Sequence, residues 1–215
     1  TAFYLMEFKD GRVLWDAAME DSDKDEALGV YKSMNDSMAK LHLVDPSEIG
    51  LEDFGKPGNY VGRQVARWWK QYVDSETENI DSMNCLIDWL PKNLPSEKRT
   101  GIVHGDYSLT NVMIGKNDPN VIAILDWELS TLGDPCADFN YHCLQYIMNP
   151  KLADKDYCRN QGIPVIDEYV KMYSEKINVD LTEEWDLYSA YNLFKLAGIL
   201  QLSLIHIWRC RRASM

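Results

Sequence analysis

The stretch that decides the fold is Ile102-Val103-His104-Gly105-Asp106-Tyr107-Ser108-Leu109-Thr110-Asn111, continued by Val112-Met113-Ile114 and, after a turn, by Val121-Ile122-Ala123-Ile124-Leu125-Asp126-Trp127-Glu128. A short apolar run delivers a His, an Asp and an Asn into one loop. Residues 112–114 then read as an outgoing strand, Gly115-Lys116-Asn117-Asp118-Pro119-Asn120 as a turn, and 121–125 as the returning strand. In an antiparallel hairpin the entry and exit residues lie side by side. Asn111 and Asp126 are therefore expected to meet at its open end, with Asp106 in the leading loop. Two carboxylates and an amide oxygen gathered there suit a hard, oxygen-seeking cation such as magnesium.

The rest of the chain narrows the class of protein. Its 215 residues are enough for one large domain or two small ones, and 46% apolar with 26% charged residues reads as a globular protein. No apolar run reaches the 18 residues of a membrane span, and no basic-then-apolar leader opens the chain, although Thr1 suggests that the true start is missing. A net charge of −12 argues against nucleic acid as a partner, because phosphates would be repelled. Cys85, Cys136, Cys143, Cys158 and Cys210 lack zinc-like pairing, so reduced thiols in a cytoplasmic protein are the reading adopted.

Along the chain, Phe3-Tyr4-Leu5-Met6-Glu7-Phe8 reads as a strand ended by Lys9-Asp10-Gly11. Helices are expected over 21–43, with Ala27, Tyr31, Met34, Met38 and Leu41 on one face, over 61–73, and over 80–90. In the second, Val61, Val65, Trp68, Trp69 and Tyr72 form the apolar stripe, and Arg63, Arg67 and Lys70 are read as a solvated face in preference to an anion site. His42 is read as a packed or helix-terminal histidine. After the hairpin, helices are expected over 134–147, over 163–177 with Pro164 in its first turn, and up to Gln201 from an N-cap at Thr182.

His-Gly-Asp-x-x-x-x-Asn, a hairpin, Leu-Asp-Trp-Glu and Gly-Asp-Pro-x-x-Asp together resemble the aminoglycoside phosphotransferase and choline kinase family, relatives of the protein kinases. Two further stretches, 131–135 and 52–60, are similar to kinase-like domains found fused to acyl-CoA dehydrogenases. The resemblance implies an α+β, protein-kinase-like fold over residues 1–201. It comprises a hinge strand and a mainly helical C-terminal lobe with a small catalytic β-hairpin, and the N-terminal lobe is missing. It also implies ATP and Mg2+ as cofactors and a hydroxylated small molecule as phosphoryl acceptor. Backbone groups around Glu7 and Phe8 would hold adenine. Asp106 would accept the proton of the acceptor hydroxyl; an Asp carboxylate is a weak base, so it would mainly orient that hydroxyl. Asn111 and Asp126 would hold the metal, and Glu128 is either a second ligand or a solvent-facing acid. An apolar strand ending in a buried Asp would also favour a metal partner for Asp126. His104 would pack and hydrogen-bond the loop, while Asp134 and Asp138 would brace it from the following helix, although a simple N-cap accounts for Asp134 nearly as well.

The acceptor stays open at this stage: a hydroxyacyl-CoA, from the likeness to dehydrogenase-fused domains, or an aminoglycoside- or choline-like cation. Fusion or association with an acyl-CoA dehydrogenase is implied on the same ground. Two rival readings are a non-catalytic kinase-like binding module and a metal-dependent hydrolase, the latter disfavoured by the lack of a second His-Asp cluster. Without the lobe that grips the phosphates, the fragment is expected to be inactive and its full-length parent active. Residues 202–215 stand apart. Leu202 through Arg212 resemble a translated transposon-based sequencing adaptor with a stop codon read as Trp208, and setting aside its three arginines lowers the net charge by three more.

Overall fold

The computed structural model describes the backbone of residues 6–213 and the side chains of residues 6–201. Its regular elements are β1 (Gly11–Arg12), α1 (Lys24–Leu43), α2 (Tyr60–Asp74), α3 (Asp81–Trp89), β2 (Gly101–Val103), β3 (Val112–Gly115), β4 (Val121–Ile124), β5 (Thr131–Gly133), α4 (Pro135–Cys143), α5 (Gln145–Met148), α6 (Pro150–Ala153), α7 (Lys155–Gln161), α8 (Ile166–Ile177) and α9 (Trp185–Ala213). They gather into two compact units. One takes the chain up to Val44, His104–Ser130 and Gln145–Val179; the other takes Asp45–Val103, Thr131–Leu144 and the chain from Asp180. No helix among the described residues is long and apolar enough to cross a membrane.

In the first unit, α1 begins where the Asp23 carboxylate accepts the Glu26 N–H at 2.8 Å, with Asp25 and Glu26 at the positive end of the helix dipole. Its buried face carries Val30, Tyr31, Met34 and Met38. Tyr31 meets Tyr169 of α8 edge-on at 5.8 Å, and Tyr146 completes the ring cluster. Each such side chain, fully buried, contributes about 1.5–3 kcal/mol. His42 is buried against the Tyr173 hydroxyl, a packed histidine as expected. The sheet order is β1-β3-β4, all antiparallel, with Val112 opposite Ile124 and a bulge that leaves Ile122 over. Two contacts dock this hairpin on α1. The Val121 N–H donates to Ser33 Oγ at 2.8 Å. Pro119 lies against Gly29, where a Cβ would come within 2.5 Å of the ring, so a residue that weakens a helix interior is the one that fits.

In the second unit, α9 packs on both α2 and α4, and β2 pairs antiparallel with β5. Val61, Val65 and Tyr72 of α2, Phe139 of α4, and Tyr188, Tyr191 and Phe194 of α9 form its core. Arg63 donates to the carbonyls of Gly58 and Lys56, Arg67 lies over the Trp68 ring at 5.7 Å, and Lys70 pairs with Asp74.

Several expected elements differ. The hinge strand falls partly on residues 1–5, outside the described residues; Met6–Phe8 are irregular and exposed, and the strand is Gly11–Arg12. A strand needs a partner edge, and β3 offers its edge to Gly11 and Arg12 through Gly115 and Ile114. Trp69 is exposed, because α9 covers a narrower arc of α2 than its apolar stripe. The helix from Asp134 breaks at Leu144, and α6 and α7 fill the stretch read as connection, capped by Asn149 and Asp154. Pro164 precedes α8, whose first residue is Ile166. Thr182 does not cap α9: its N–H and hydroxyl both donate to Asp180, and the helix starts at Trp185. The α9 backbone runs past Gln201 to Ala213.

Candidate active site

The site is built from one loop and the open end of one hairpin, all within the first unit. Gly105 makes the turn possible. Its φ is +86°, and a Cβ there would lie 2.7 Å from the Leu129 carbonyl oxygen, so both conformation and space demand glycine. Beyond it, Asn111 closes the loop. Its side-chain N–H2 donates to the Asp106 carbonyl at 2.9 Å and to Asp106 Oδ2 at 3.0 Å. One carboxylate oxygen, Oδ2, is thereby held by the Asn111 side chain. The Leu125 N–H donates to the Asn111 carbonyl at 2.8 Å, which ties the loop to the hairpin exit as the strand pairing requires.

His104 is buried beneath this junction. Its Nδ1 accepts the Asp106 N–H at 3.3 Å and its Nε2 bonds the Leu125 carbonyl at 2.8 Å. A ring that accepts at Nδ1 must carry its proton at Nε2, which makes Nε2 the donor. One imidazole therefore joins the backbone of Asp106 to the residue before Asp126, from between the rings of Tyr107 and Trp127.

Asp126 follows with φ and ψ both near 62°, the left-handed region. Such a conformation is uncommon for a residue with a Cβ, though Asp tolerates it better than most. Asp126 and Glu128 are exposed and Asp106 is half-buried. The expected burial of Asp126 is thus not found, since β4 is only partly covered and ends in an open turn. Asp106, Asp126 and Glu128 do not form a three-acid metal cluster among the described residues. Neither the Asn111 amide oxygen nor the Asp126 carboxylate accepts a hydrogen bond among the described residues, and both are oxygens of the kind a hard cation takes. Glu7 and Phe8 are exposed irregular backbone.

The remaining predicted residues lie in the second unit. Asp134 is fully buried, caps α4 by accepting the Cys136 N–H at 2.9 Å, and accepts the Tyr188 hydroxyl at 2.9 Å. The N-cap reading holds, and its hydrogen bonds run to α4 and α9. Burial pushes its carboxyl up to about 6 against the opposing pull of those bonds. Asp138 is buried as well; Tyr60 and Tyr191, hydrogen-bonded to one another, are raised first by burial and further by the Asp138 charge. This polar core went unread in the sequence. The available signal was Tyr188 and Tyr191 on the apolar stripe of a helix, where a hydroxyl must find a partner.

Residues 1–190 match the phosphotransferase enzyme family. Acyl-CoA dehydrogenase family member 10 of Mus musculus is 40% identical over 206 residues, which is 94% of this chain but 19% of that protein, so the chain spans about a fifth of the relative's length. A candidate aminoglycoside phosphotransferase from Ralstonia eutropha JMP134 is 46% identical and superposes with a TM-score of 0.87, over 91% of this chain and 61% of the other. Aminoglycoside phosphotransferase APH(3'')-Id from Streptomyces rimosus, solved with ADP and streptomycin, shares the fold at 14% identity with a TM-score of 0.56, over 81% and 65% of the two chains. The fold is protein-kinase-like, and the chain belongs to the phosphotransferase enzyme family.

Proposed function

We propose that this chain carries the acceptor-activating and metal-holding part of a small-molecule kinase that moves the γ-phosphoryl group of ATP to a hydroxyl. The observation that carries the reading is the Asn111 side chain fixing the Asp106 carboxylate while the Asn111 carbonyl holds the hairpin end that bears Asp126. Phosphoryl transfer asks little covalent chemistry of a protein and much positioning, and this junction positions both acids at once. Asp106 orients the acceptor hydroxyl and takes its proton late, as the bond to phosphorus forms. Asn111 and Asp126, with Glu128 as a further carboxylate, would hold Mg2+, which when bound neutralises phosphate charge. Glu7 and Phe8 offer backbone groups for adenine. His104 holds the loop, and Asp134 and Asp138 stabilise the scaffold.

Among acceptors, a hydroxyacyl-CoA is the reading supported by the relative that belongs to the acyl-CoA dehydrogenases, as is fusion or association with such an enzyme. Cytoplasmic location fits the cysteines among the described residues, Cys85, Cys136, Cys143 and Cys158, which are free thiols. The test is ATP consumption by the full-length protein with hydroxyacyl-CoAs, aminoglycosides and choline, with Asp106→Asn alongside. Turnover lost in the variant supports the assignment. Equal rates in both proteins remove Asp106 from the chemistry.

A further inference from the structure

Asp126 is the one non-glycine residue of the site held in a left-handed conformation, and something must keep it there. Backbone in that region lies of order 1–3 kcal/mol above the common wells and persists only where its surroundings over-determine it. On its N-terminal side the restraint is plain: Leu125 is pinned through its N–H to Asn111 and through its carbonyl to His104. On the C-terminal side the first residue is Trp127, and its contacts are unusual for an exposed aromatic. Its indole N–H donates back across Asp126 to the Ile124 carbonyl at 2.9 Å, its ring lies 5.1 Å from the His104 ring, and its carbonyl accepts the Ser130 N–H at 3.0 Å in the turn that follows.

We propose that Trp127 is a positioning residue for the metal-holding carboxylate. Its indole clasps the chain on either side of Asp126, and through His104 it is coupled to the loop that carries Asp106. The inference rests on the proposed function for the metal role of Asp126, while the conformational clasp itself does not. Trp127 is 43% exposed, so its contribution to the core is small and its contribution to the turn is specific. A phenyl ring keeps a tilted ring contact with His104 and loses the N–H; a leucine loses both. The prediction is therefore graded.

The experiment uses the full chain, with Mn2+ alone as probe, followed by water-proton relaxation, and amide hydrogen exchange at Leu125 and Ser130. Trp127→Leu is expected to weaken Mn2+ binding about tenfold or more, the usual effect of losing a residue that orients a metal ligand, and Trp127→Phe to weaken it less. Exchange at both amides should quicken in the same order while the melting temperature stays near that of the wild type. If Trp127→Leu binds Mn2+ like the wild type while Asp126→Ala loses it, the proposal is overturned. If Asp126→Ala leaves Mn2+ binding intact, it is the metal reading of the site that fails. The clasp is then decided by exchange alone, and unchanged rates in Trp127→Leu overturn it.

Discussion

The two acid-bearing regions of this molecule are built on opposite terms. In the first unit Asp106, Asp126 and Glu128 stand at or near the surface, oriented by backbone ties, an amide side chain and one buried imidazole. In the second, Asp134 and Asp138 are sealed among Tyr60, Tyr188 and Tyr191, and it is Asp134 that burial drives up to about 6. A perturbed carboxylate in a protein is often taken as the mark of a functional site, yet ion-pair and capping networks perturb acids too. Here the displaced acid is the helix cap. The acids assigned to chemistry are distinguished by geometry: Asp106 has a carboxylate oxygen held by Asn111, and Asp126 sits in a turn whose backbone is left-handed.

That contrast can be broken most directly at Asp106. Asp106→Asn should lower phosphoryl transfer by about 10²–10⁴-fold, the usual contribution of a positioned base, with little change in melting temperature; a large loss of stability would instead place Asp106 with the scaffold acids. Asp126→Ala should abolish magnesium-dependent nucleotide binding in the full-length protein, measured by calorimetry with and without the metal. Retained binding would take Asp126 out of the site. Asp134 should show the reverse pattern, in stability and its pH dependence. Its folded pKa of about 6 lies above the ~3.9 of an unfolded Asp, so the folded state binds more protons between those values. Its contribution is fully present below the unfolded value and is lost as pH rises through about 6, up to about 2–3 kcal/mol. Urea unfolding at steps from pH 4.5 to 7 should reveal that slope, and Asp134→Asn should flatten it. Smallest is Tyr188→Phe, which removes the hydroxyl that Asp134 accepts. It should cost about 1–3 kcal/mol and move the slope to higher pH, measured by the same titration.

Much of the first unit was legible because its signals are local. Turn residues from Gly115 to Asn120 between two β-branched runs specify a hairpin, and the hairpin brings Leu125 onto Asn111. The face of α1 followed from the spacing of Ala27, Tyr31, Met34 and Met38. Pairings between distant segments were not legible. Neither the partnering of Gly11–Arg12 with β3 nor that of Gly101–Val103 with β5 has a marker in its own residues, since a strand of two or three residues has no periodicity to read. Asp180 outcompeted the helix terminus for Thr182, a choice between two nearby acceptors that spacing does not resolve. Asn149 and Asp154 were visible caps whose short helices lacked the apolar period that would have announced them.

By itself the sequence determined the chemistry on offer: which residues carry oxygen donors, in what order, and on which sides of one hairpin. Residue type and short-range spacing suffice for that, because a turn and a strand register are local constraints. Tertiary structure alone decided which acids are exposed and which are sealed under tyrosines. It also decided that one carboxylate oxygen of Asp106 is already engaged and that Asp126 sits in a left-handed turn flanked by Leu125 and Trp127. Burial, hydrogen-bond partners and backbone strain depend on segments brought together from far along the chain, and those are properties of the packed molecule.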